Sequence, residues 1–218
     1  MGDGPRGHNE ELNMPFIKHI AVAADSVLPA QGPECDTALL DAPEAAVRRA
    51  AAHALGGCPD AVPALLRALE HETEQPVRSA LLATLGRIGN EEAAAGLAAC
   101  LRSEDAWLRN AAIEVLRDLP AQVATVIAHL LVDWDRDVRI LAVGILDTLR
   151  HDCVEEWLLQ LIEADTDVNV CGAALDVLAE VGTEKARAPV ERLLQRFGGE
   201  PYITFTGKLV LGRLVRSA

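Results

Sequence analysis

Six histidines and five cysteines are the side chains with most chemistry to offer, and their spacing decides what they can do. His8, His19, His53, His129 and His151 fall at no metal-ligand spacing, and His71-Glu72 is the one His-Glu dipeptide, in a predicted loop between helices. A metal site needs several carboxylate or imidazole ligands converging from different elements, so no metal is expected. No nucleophile elbow, phosphate-cradling glycine loop or paired-carboxylate motif stands in a recognisable setting. The cysteines are Cys35, Cys58, Cys100, Cys153 and Cys171. An odd number without a CxxC motif, mostly at helical positions, predicts reduced, small apolar residues of a cytoplasmic protein. Cys171 invites a reading as a reactive thiol, but nothing cationic stands nearby in sequence to lower its pKa. No catalytic residue, cofactor or metal ligand is assigned, and the chain reads as a non-enzyme.

The elements that would position these residues recur. In Asp133–Leu149, DWDRDVRILAVGILDTL, helical spacing gathers Val138, Leu141, Ala142, Ile145, Leu146 and Leu149 on one stripe, with charges largely opposite. Its branched anchor repeats as Val47, Val77, Leu108, Val138, Val170 and Ile203, at spacings of 30, 31, 30, 32 and 33 residues. Three residues before each anchor stands an acid: Glu44, Glu74, Asp105, Asp135, Asp167 and Glu200. One residue after it come Arg48, Arg78, Arg109 and Arg139, then Cys171 and Thr204; eight after it a leucine recurs, from Leu55 to Leu211. Acid and arginine are four apart in the favourable order, so they should stabilise each first helix and bridge adjacent repeats. Their loss at Cys171 and Thr204 predicts that the last repeats pack differently.

Hydrophobic residues make up 50% of the 218 and aromatics only 3%, a composition for closely packed helices rather than strands. The formal net charge of −13, with three lysines, repels duplex DNA from most of the surface. No apolar run is long enough to span a bilayer, and the N-terminus lacks the charged-then-apolar order of a signal peptide.

Residues 1–14 read as a flexible leader and 15–40 as an N-terminal capping segment, with a helix from Pro15 to about Asp25. Residues 41–199 form the repeats, with helices near 41–55, 59–70, 74–85, 91–101, 104–118, 121–131, 135–149, 153–163, 167–180 and 184–197. Residues 200–218 form a C-terminal capping helix. Asn90 and Asp152 are the expected N-caps, the latter with Glu155 in a capping box. No unit could bury its apolar face alone, so the units must stack.

EAAVRRAAAHALGGCPDAVPALLRAL, EQPVRSALLATLGRIGNEEAAAGLAACL and DWDRDVRILAVGIL resemble HEAT-like repeats of the phycobilisome-lyase type. The resemblance implies an all-α, right-handed α-α superhelix of about five helical hairpins. The family includes bilin lyase subunits, metalloprotein maturation factors, adaptors and the di-iron enzyme deoxyhypusine hydroxylase. That enzyme binds iron through His-Glu pairs just after the anchor arginine. Here the two columns read Arg49-Ala50, Ser79-Ala80, Asn110-Ala111, Ile140-Leu141, Gly172-Ala173 and Phe205-Thr206, and no pair survives.

What remains is recognition. The second helices of such solenoids line the concave side, and their matching columns are Ala64 and Ala68, Gly96 and Cys100, Thr125 and His129, Glu156 and Gln160, Ala188 and Arg192. The partner-binding residues are therefore expected at Thr125, His129, Glu156, Gln160 and Arg192, joined by Trp134. Trp107 and Trp134, at repeat starts, are either core or interface anchors. Residues 133–167 hold ten acids against three arginines, a net −7, which favours a client protein with a basic patch. The reading is a non-catalytic scaffold, adaptor or assembly factor without nucleic-acid or membrane partners. The alternative is a lyase- or chaperone-type subunit that helps attach or insert a cofactor into a client.

Overall fold

Most of the helices start where a side chain or a proline deals with unpaired N–H groups. Asp105, Asp135 and Asp167 accept from the backbone N–H groups one turn in, and Asn90 Oδ1 accepts from Ala93 N at 2.8 Å. Pro63, Pro76 and Pro120 stand in first turns, where no intrahelical donor is lost. Gly89, at φ 54°, ends its helix in the left-handed conformation that glycine adopts without strain.

The result, a computed structural model describing residues 35–217, is a chain of helical hairpins. The first helices of successive pairs are α1 (Ala45–Ala54), α3 (Gln75–Ile88), α5 (Ala106–Arg117), α7 (Arg136–Leu146) and α9 (Val168–Val181). The second helices are α2 (Val62–His71), α4 (Glu91–Ala99), α6 (Pro120–Leu130), α8 (Val154–Ala164) and α10 (Arg187–Arg196). A single helix, α11 (Pro201–Ser217), follows, and no strand occurs among the described residues. The leader at 1–14 and the helix expected from Pro15 lie outside the described residues.

First helices pack on first helices along the whole row from α1 to α11. In the second row α2, α4 and α6 are neighbours, as are α8 and α10, but α6 and α8 do not close up in the same way. The core is a continuous apolar seam between the rows, with Leu65, Leu85, Leu97, Leu116, Leu146 and Leu178 fully buried. The stripe expected in α7 is buried at Val138, Ala142, Ile145, Leu146 and Leu149, and Val143 joins it. Val47, the first anchor, is instead 37% exposed, on the end helix of the described row. Buried Thr84 is satisfied by donating to Ala52 O, 2.9 Å away in α1.

Two expectations need correction. Cys35 and Cys58 form a disulfide, with Cα atoms 5.8 Å apart, leaving Cys100, Cys153 and Cys171 as free thiols. Cys58 lies in the turn between α1 and α2, and the stretch entering the 3-10 turn Ala38–Asp41 folds back onto it. An odd count and a missing CxxC say nothing about a pair made by such a fold-back. Reduced cysteines therefore no longer speak for a reducing compartment. At α8 the N-cap is Cys153, with no side-chain cap bond. Glu155 reaches another hairpin instead, accepting from Thr183 N at 2.5 Å and Thr183 Oγ1 at 2.9 Å.

Candidate docking groove

The acid and arginine columns form a two-step ladder. Two residues before four of the six acids, Glu74, Asp105, Asp135 and Asp167, stands a second acceptor: Glu72, Ser103, Asp133 and Asp165. Each takes the backbone N–H of the capping residue, at 2.9 Å for Glu74, 3.2 Å for Asp105, 2.9 Å for Asp135 and 2.8 Å for Asp167. The capping residues Asp105, Asp135 and Asp167 in turn hold the next helix. Their expected partners four residues on point elsewhere. Arg48 binds Glu72 with both Nε (2.7 Å) and Nη2 (2.9 Å), and Arg139 binds Asp165 at 2.6 and 3.1 Å. Arg78 faces serine at the equivalent place and reaches Asp105 at 2.5 Å, its guanidinium lying 4.4 Å over the half-buried Trp107 ring. The arginines also fold back onto carbonyls that open their own repeats, as in Arg48 to Ala42 O (2.8 Å), Arg109 to Ser103 O (2.6 Å) and Arg139 to Asp133 O (2.8 Å). The column thus bridges repeats, as expected, while the i,i+4 pairing within a helix does not form. The missed signal is legible as acceptor-x-acid at Glu72/Glu74, Ser103/Asp105, Asp133/Asp135 and Asp165/Asp167.

The bridges set charge states. Hydrogen bonds from the Arg48 guanidinium hold the Glu72 carboxyl down to about 2. Arg78 lowers Asp105 in the same way, and bonding to Asp165 raises the Arg139 pKa.

Where Cys171 replaces the arginine, a residue from another helix fills the gap. Arg196, in α10, donates to Ile162 O at 2.6 Å, Glu163 O at 2.8 Å and Asp165 O at 2.8 Å, and its Nη2 lies 3.6 Å from Cys171 Sγ. A cation is therefore close to Cys171 in space, although none is near in sequence. Burial still pushes the thiol up, with the pull of Arg196 against it, so the thiol stays protonated and structural.

Two grooves open over these bridges in equivalent places. One, of about 730 Å³, lies between the 3-10 turn Ala38–Asp41 and α2, with Arg48 and Glu72 in its lining. The other, of about 490 Å³, lies between the end of α6 and α8, with Arg139 and Asp165 in its lining. The Ala64 and Ala68 of the first become Trp157 and Leu161 in the second, one residue on from Glu156 and Gln160. Trp157 is the bulky member of an otherwise small column, and its ring stacks on His151 at 4.9 Å. At α2 and α4 the contrast is sharp: the Leu66 side chain leaves no space for a Cβ on Gly96.

Thr125, His129, Glu156, Gln160 and Arg192 are all exposed, on α6, α8 and α10. Gln160 lines the second groove and donates to Glu156 Oε1 at 3.3 Å. Thr125 Oγ1 donates to its own helix at Gln122 O, 2.7 Å. Arg192 is paired with Glu163 of α8. Trp134 is 86% exposed, next to the groove-lining Asp133. Of the ten acids in 133–167, Asp133, Asp135, Asp165 and Asp167 serve the ladder. Among the described residues no three His, Cys, Asp or Glu side chains come together as a metal site, and no helix is long and apolar enough to cross a membrane.

Similar solved structures include an engineered protein, at 17% identity over 83% of this chain and 95% of the other, with a TM-score of 0.43. A second is the archaeal HEAT-like repeats protein of Thermococcus onnurineus, at 22% identity over 83% and 85%, with a TM-score of 0.45. A third is the complex of CpcE and CpcF of phycocyanin lyase from Nostoc sp., at 21% identity over 92% and 100%, with a TM-score of 0.33. No curated protein matches the chain. The family model for HEAT repeats matches residues 37–117 and 123–197, a span that takes in α1 to α10, and the chain belongs to the HEAT repeat family.

Proposed function

We propose that the chain is a protein-interaction scaffold, an adaptor or assembly accessory factor, that holds a client protein across α6, α8 and α10. One observation carries the reading: three successive second helices present Thr125, His129, Glu156, Gln160 and Arg192 to solvent, beside a Trp134 that is 86% exposed. A large aromatic left in water next to polar groups is the composition of an interface centre and its rim. Polar recognition spread over several helices also suits a repeat protein, which offers an extended surface rather than a deep cavity.

The test replaces Glu156 by Lys and Gln160 by Ala together. Both side chains are exposed and bonded chiefly to each other, so helicity and melting temperature should stay nearly unchanged. Client binding should weaken, and its salt dependence should fall, because the acidic attraction is reversed. Normal binding by this variant, with binding lost on changes at Ala64 or Ala68, would move the interface to the N-terminal end.

A further inference from the structure

We infer that the groove between α6 and α8 receives a short segment of the partner in which a bulky apolar side chain is flanked by lysine or arginine. The inference rests on the scaffold reading and names the chemistry of what is held. The groove walls are apolar: Leu131 and Leu161 are almost fully buried, Trp157 is half-buried, and Val132 is 77% exposed at the mouth. A floor of ion-paired Arg139 and Asp165 offers no free charge to an inserted side chain.

Charge at the rim selects the flanks. The cations that come near are each engaged: Arg102 by Asp133, Arg136 by Asp137 and Asp167, Arg139 by Asp165, Arg192 by Glu163, and Arg196 by the carbonyls of Ile162, Glu163 and Asp165. Asp135, two residues from groove-lining Asp133, and Glu156, bonded to groove-lining Gln160, make no ion pair among the described residues, so the surroundings of the groove are net negative. Trp134, beside Asp133 and Asp135 in the chain, adds an open ring face, and an ammonium or guanidinium over such a ring is attracted by its quadrupole. The equivalent groove at the N-terminal end lacks this combination. There Asp41 stands in place of Val132, Ala64 in place of Trp157, Arg67 in place of Gln160 and His71 in place of Ala164, so it lacks the apolar wall and brings the extra cation Arg67 into its lining.

The probe is a short fluorescein-labelled peptide with a central Leu-Phe pair between lysines, read by anisotropy at physiological ionic strength. Two controls replace Leu-Phe by Ser-Ser, or the lysines by glutamates. Binding should saturate at one peptide per chain and weaken roughly tenfold or more with either control. Ala128→Gln with Ala164→Gln, both exposed and both lining the groove, fills it without changing charge and should weaken binding as much. Glu91→Gln with Glu92→Gln, removing two charges on α4, should leave it unchanged. Equal loss from the Glu91 and Glu92 changes would reduce the effect to net charge and overturn the inference, as would binding indifferent to the groove-filling pair. A dimer of this chain that dissociates on groove filling would mean that a second copy occupies the site, and would also overturn it. If the peptides fail while the Glu156→Lys, Gln160→Ala variant still loses its client, the groove assignment falls and the scaffold reading stands.

Discussion

Glu72 shows how one side chain joins three elements. It takes the N–H groups of Thr73 and Glu74 and both Nε and Nη2 of Arg48, with only 5% of its side chain exposed. Its pKa falls from 4.5 to about 2 on folding. A depressed carboxyl stabilises the fold fully above its unfolded pKa and loses that contribution as pH falls through the folded one. Stability should therefore drop between about pH 4.5 and pH 2, by at most about 3 kcal/mol from this group. Chemical denaturation across that range should show Glu72→Gln less stable than the parent at pH 7, with the gap closing towards pH 2. The pair of Arg139 and Asp165 is comparably enclosed, with side chains 14% and 5% exposed. Asp165→Ala leaves Arg139 without its carboxylate and should cost about 2–4 kcal/mol, whereas replacing both by apolar residues of similar volume should cost much less. A double-mutant cycle by urea melting separates the two.

At the scale of helices, the hairpin pattern was legible because the apolar spacing and the acid column recur in every repeat, with prolines opening several helices. Observed helix limits fall close to those read from the chain, the largest shift being at α1, which begins at Ala45 rather than near residue 41. Partners across repeats were not legible. Spacing places Asp135 four residues before Arg139, but the bond goes to Asp165, and only the third dimension brings that residue near. The same holds for Arg196, whose guanidinium occupies the place vacated by arginine at Cys171 from a helix begun 16 residues later. Its three bonds to carbonyls tie α10 to the end of α8. Arg196→Met should lower stability by about 1–2 kcal/mol, a fall of several degrees in melting temperature for a chain of this length. Calorimetry provides the check, with unchanged melting counting against the substitution of Arg196 for the missing arginine.

Among the described residues the helices form a two-row stack whose second row is interrupted between α6 and α8. The sequence shows Trp157 as a large residue in a column of alanine, threonine and valine, but that it lines a groove with Ala128 and Leu131 is set by the packing of the hairpins. Of the columns expected to face outward, Thr125, His129, Glu156, Gln160, Ala188 and Arg192 are exposed while Ala64, Ala68, Gly96 and Cys100 are half-buried, and the groove was not legible, since its column lies one residue on from Glu156 and Gln160. Client recognition over α6, α8 and α10 is the central claim. The measurement closest to it is site-specific photo-crosslinking in source cells, with a photoreactive residue in place of Gln160 and, separately, in place of exposed Asn110 on α5 of the opposite row. A discrete adduct from position 160, absent from position 110 and lost on Glu156→Lys, is the predicted result. An adduct from position 110 with none from position 160 would contradict it.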